Sequence, residues 1–119
     1  MGRSKKTPKS YRQITFRQDV LYFIGWSKKE FNEYVSEHFD DEDPVTTESG
    51  VCYMQEREND DPVLIIWVEH KKRLDILVHE VTHGANYILQ SAGHEHSYDN
   101  DETQAYLNQE LFASGLSKS

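Results

Sequence analysis

The chain has 119 residues and a formal net charge of −8, with the charge unevenly placed. Residues 1–17 carry six of the thirteen basic side chains and no acid, so the remainder holds seven bases against twenty-one acids, a net of −14. Such a length holds one domain with a modest core, a single cysteine excludes an internal disulfide framework, and an acidic body argues against nucleic acid as the main partner.

Residues 1–10 lack any apolar run, so neither a signal peptide nor a membrane span is expected there. They are expected to form a disordered basic arm, the one part of the chain suited to nucleic-acid contact. A single domain is expected over residues 11–119, with the cytoplasm as default location and no membrane partner. Residues 11–26 hold Ile14, Phe16, Val20, Leu21, Tyr22, Phe23 and Ile24, which predict one strand or a bent pair of short ones. Ser27 and Glu30 then form a capping box for a helix ending near Phe39, with Phe31, Tyr34, Val35 and His38 on one face. The run Asp40-Asp-Glu-Asp43 before Pro44 reads as a solvated stop. Residues 49–58, with the strand-like centre Val51-Cys-Tyr-Met54, should pair with residues 63–69 (VLIIWVE) across the turn at 58–62.

From residue 71 to residue 90, apolar side chains recur at 74, 77, 78, 81, 85, 88 and 89, the spacing of an amphipathic helix with Gly93 as its stop. Residues 79–83 of this helix read HEVTH. Helical residues four apart share a face, so His79 and His83 can grip one metal ion. Glu80 sits about 100° round the helix, where it can reach a metal-activated water without being a ligand, as a general base must. The other reading is a surface helix with two solvated His. It is disfavoured because both flank the apolar stripe at Val78 and Val81.

A catalytic zinc takes three protein ligands and keeps one open position. A second helix is predicted over residues 101–113, capped by Asp99 or Asn100, with Ala105, Leu107, Leu111 and Phe112 inward and Glu102 in its first turn. Glu102 follows His83 by nineteen residues, enough for the chain to reverse and lay this helix beside the first.

The run His79-Glu-Val-Thr-His-Gly84, followed by Asp101-Glu-Thr-Gln-Ala-Tyr106, resembles small gluzincin-type zinc metallopeptidases, most closely the short single-domain enzymes encoded by bacteriophages. The likeness covers about residues 62–112. It implies a zinc-dependent peptidase acting on a peptide or protein, with His79, His83 and Glu102 as Zn2+ ligands and Glu80 as the base. Thermolysin-like enzymes carry an Asp four residues after the ligand Glu to orient a metal His, and this chain has Tyr106 there. The orienting carboxylate must then come from elsewhere, with Asp75, Asp99 and Asp101 as candidates.

Rival assignments rest on other residues. His96, thirteen residues after His83, matches the spacing of SprT-like peptidases and would replace Glu102. His94 and His96 otherwise read as solvated loop side chains. His38 reads as a helix-end side chain, and Cys52 as a small half-buried strand residue rather than the metal ligand of a peptide deformylase. A non-catalytic, zinc-stabilised protein-binding module is the alternative from another class, with His94, His96 or Asp99 closing the metal's fourth position. The expected fold is α+β and zincin-like: a twisted sheet of about three strands, helices over one face, then the HExxH helix and a C-terminal helix. In the families it resembles, an edge strand binds extended peptide, and residues 63–69 are the candidate here.

Overall fold

The computed structural model describes residues 6–39, 44–45, 48–93 and 101–117. Four strands and three helices follow in the order β1 (Lys9–Gln13), β2 (Gln18–Ile24), α1 (Lys28–Phe39), β3 (Gly50–Arg57), β4 (Asp60–Val68), α2 (Leu74–Ser91) and α3 (Asp101–Ser117). The sheet order is β1-β2-β4-β3. β1 and β2 form an antiparallel hairpin, β3 and β4 a second one, and the two hairpins join through the parallel pair β2–β4. The mixed α+β class stands as expected, but the sheet has a fourth strand, because the segment before Trp26 folds as two strands. Of the arm expected over residues 1–10, residues 1–5 lie outside the described residues, while Lys9 and Ser10 already pair with Tyr22 and Leu21. Lys6 bonds Glu30 at 3.0 Å and lies over the Trp26 ring.

Helices cover both faces of the sheet rather than one. The cause lies in β4, whose Val63, Leu64, Ile65, Ile66, Trp67 and Val68 are all buried. Alternate side chains of a strand point to opposite faces, so an unbroken apolar run leaves no face for water. Val63, Ile65 and Trp67 join Phe23, Trp26, Phe31 and Val35 under α1. There Phe31 stacks on Trp67 at 5.0 Å, and Trp67 Nε1 donates to the Trp26 carbonyl. On the other face Val20, Tyr22, Leu64, Ile66 and Val68 pack with Leu77, Val81, Ala85, Ile88 and Leu89 of α2 and with Leu107 and Leu111 of α3. Ala105, expected inward on α3, is exposed, and Ser114 is buried instead.

The capping box forms as read: Glu30 N–H donates to Ser27 Oγ at 3.1 Å and Ser27 N–H to Glu30 Oε1 at 2.9 Å. Ser27→Ala should therefore cost about 1 kcal/mol, measured by urea unfolding. Asn32 holds the chain beyond the helix, exchanging two hydrogen bonds with the backbone of Val45. Residues 40–43 lie outside the described residues. The β3–β4 turn is tighter than expected, with Arg57 paired to Asp60, Asn59 at φ 62° and a register shift between Gln55 and Arg57. α2 ends as the sequence suggests, with Gly93 at φ 82° donating to the Gln90 carbonyl.

α3 runs antiparallel to α2: Gln104 donates to Asn86 near one end, and a Cβ on Gly115 would sit 3.2 Å from Leu77 near the other. Polar contacts tie α3 to the first hairpin as well. Tyr22 donates to the Leu111 carbonyl at 2.9 Å, Gln13 to Glu110 at 3.0 Å, and Tyr11 also to Glu110. That last bond holds the phenol proton, with the Tyr11 pKa pushed up to about 12, first by the hydrogen bond and then by burial. Among the described residues no helix is long and apolar enough to cross a membrane.

Candidate metal centre

α2 carries HEVTH in its central turns, five residues beyond its first, Leu74. Close helix–sheet packing sets the height of these turns above the strands. A Cβ on Gly84 would lie 3.0 Å from Leu64 Cδ2 and 3.3 Å from Cys52 Sγ, so only glycine lets the helix come this near. Here His79 and His83 are exposed, and their Nε2 atoms stand 3.2 Å apart, with ring centroids at 4.7 Å. Two imidazole nitrogens each about 2.05 Å from one tetrahedral zinc would be ~3.3 Å apart. The pair thus fits two corners of a single metal site. Tyr87 extends the row, its ring 6.4 Å from that of His83.

Glu80, one residue along the same helix, is buried. It is only 7% exposed, and its Oε2 lies 3.3 Å from where a Cβ on Gly50 would stand. Burial holds its carboxyl pKa above the ordinary range, while the neighbouring His79 and His83 work in the opposite direction. Raised basicity in a buried carboxylate suits a proton acceptor. Cys52, on the same side of β3, is pushed up by burial and then by the Glu80 charge.

The sequence-predicted third ligand does not join the pair. Glu102 is exposed in the first turn of α3. Among the described residues no group of three or more His, Cys, Asp or Glu is arranged to hold a metal. The helix register accounts for this. Gln104 faces Asn86, so Glu102 lies beside the C-terminal end of α2, past His83. His94, His96, Asp99 and the Asp101 side chain lie outside the described residues. Asp75 is engaged elsewhere: Arg73 grips both its oxygens, at 2.9 and 2.8 Å, and holds its pKa near about 2.

Residues 63–69 are not the edge of the sheet. β4 lies between β2 and β3, with both sides of its backbone paired, so it has no hydrogen bonds left for a peptide. The edge beside α2 is β3. Glu69 N–H donates to the Ser49 carbonyl at 2.9 Å, and Gly50 stands opposite Val68. By the alternation of an antiparallel ladder, Gly50, Cys52 and Met54 then turn their N–H and C=O groups outward. Cys52 and Met54 also pack on the α2 side of the sheet. The clue in the sequence was the polar end of β3 (Gln55, Glu56, Arg57) against the unbroken apolar run of β4. Comparison with family models, curated proteins and solved structures finds no match to this chain.

Proposed function

We propose that this chain is a small zincin-like peptidase that hydrolyses peptide bonds with one zinc ion held by His79 and His83. The observation that carries the reading is the 3.2 Å spacing of the two Nε2 atoms, with the buried Glu80 carboxylate one residue along the same helix. Zinc bound there would supply Lewis acidity to the scissile carbonyl and acidify the attacking water. Glu80 takes the proton of that water and returns it to the leaving amine. The outward backbone groups of Cys52 and Met54 pair with an extended substrate, giving affinity with little demand on side-chain sequence. Glu102 completes the ligand set if the first turn of α3 shifts towards His83 on metal binding. Like a bacteriophage-encoded relative of the gluzincins, such an enzyme would act in the cytoplasm.

The test is metal analysis of the purified protein, followed by cleavage of a peptide library with and without chelator. Stoichiometric zinc and chelator-sensitive cleavage are expected. Tightly held zinc with four protein ligands and no cleavage would mark a structural metal and overturn the peptidase reading. For the third ligand, Glu102→Ala should weaken zinc binding sharply and erase most of the melting-temperature gain that zinc gives. Full affinity in that variant, with loss in His96→Ala, would move the ligand to His96.

A further inference from the structure

Gly50 opens β3 opposite Val68, and its backbone is not in the positive-φ region reserved for glycine. Space, rather than conformation, demands a glycine there. A Cβ at this position would lie 2.7 Å from Ile76 Cγ2, 3.0 Å from the Trp67 carbonyl oxygen and 3.3 Å from Glu80 Oε2. Ordinary non-bonded carbon contacts run about 3.5–4.0 Å. Ile76 and Glu80 are four residues apart on one face of α2, so one helix face supplies both side chains that fill the gap.

We propose that Gly50 is a positioning residue for Glu80. Its missing side chain leaves a notch at the start of the edge strand, and the Glu80 carboxylate lies in it. The general base and the outward backbone of β3 thereby share one small volume, which is where a scissile bond paired to that strand must come. The consequence for turnover rests on the peptidase reading, whereas the notch is a property of the fold. A methyl group at position 50 is accommodated only by displacing Ile76, Glu80 or the helix that carries both, because the Trp67 carbonyl belongs to the buried interior strand. His79 and His83 sit on one helix and move together, so their grip on zinc is preserved.

In zinc-loaded Gly50→Ala, kcat should fall about a hundredfold, the loss typical of a misplacement near 1 Å, with KM and zinc affinity unchanged. A folded Gly50→Ala protein with wild-type kcat overturns the proposal. If that variant folds poorly, Gly50→Ala combined with Ile76→Ala removes the closest clash. Low kcat at unchanged KM then supports the notch, and kcat equal to that of Ile76→Ala alone overturns it. A second arm uses metal-free protein and no substrate: a melting-temperature cycle of Gly50→Ala with Glu80→Ala. A smaller loss from Gly50→Ala in the Glu80→Ala background supports contact between the two positions, and simple additivity overturns it. If the wild type cleaves no peptide, the peptidase reading falls while this cycle still decides the notch.

Discussion

Glu80→Gln protein should bind zinc as the wild type does and hydrolyse peptide about 10²–10⁴ times more slowly, the usual contribution of a positioned general base. The amide has the volume of the carboxyl group, so the buried position stays filled, but it cannot accept the water's proton. Single-turnover cleavage beside a zinc titration checks both halves, and wild-type turnover in this variant would refute Glu80 as the base. The metal-free proteins add a pH signature. Burial raises the folded-state pKa of Glu80 above its unfolded value of about 4.3. A group raised on folding favours the native state below the unfolded pKa, and that contribution is lost as pH rises through the folded pKa. Glu80→Gln has no such loss. Without metal it should melt above the wild type at neutral and alkaline pH, with the gap closing as pH falls below the carboxyl range.

The second large effect belongs to the histidines. At zinc a thousand times above Kd, the wild type should gain about 4 kcal/mol by mass action. For a domain of this size that is a melting-temperature rise on the order of 10 °C or more. His83→Ala should erase the gain while leaving the metal-free protein close to wild-type stability. The asymmetry follows from exposure: both imidazoles face solvent, so truncation removes ligands without opening the core. Calorimetry of wild type and variant, with and without zinc, reads the difference directly. A variant that kept the zinc-dependent rise would place the metal elsewhere.

Much of this arrangement was legible in the chain, where the signals were local. The capping box at Ser27 and Glu30, the β3–β4 hairpin and the extent of α2 depend on residues close in sequence, and each formed near its expected bounds. β1 was legible only as half of a bent pair, one of two readings, because Lys9–Gln13 is a short, largely exposed edge strand with no apolar alternation. The unbroken run in β4 was read as a buried strand but with helices on one face only, whereas α1 covers the face opposite α2. Which strand lies at the edge was marked only by the polar end of β3, because the order is fixed by the parallel β2–β4 pairing that joins Val20 to Leu64. The closeness of His79 and His83, the candidate metal pair, was readable from their spacing in HEVTH. The pair's third partner was not, because that depends on how α3 docks after residues 94–100.

The candidate centre has an unusual position in the order of folding. Edge strand, interior strand and α2 come from one continuous stretch, Gly50 to Ser91, joined by a tight turn and a five-residue link. Closing such short loops costs little chain entropy, whereas docking the first hairpin must close a far longer one. The half that carries the candidate centre should therefore gain its shape first, with the first hairpin and α1 arriving later to complete the core. Pulsed hydrogen exchange during refolding should show amides of β4 and α2 protected ahead of those in β1 and β2. A chain that assembles its candidate centre before its scaffold keeps that centre in the part least dependent on the rest.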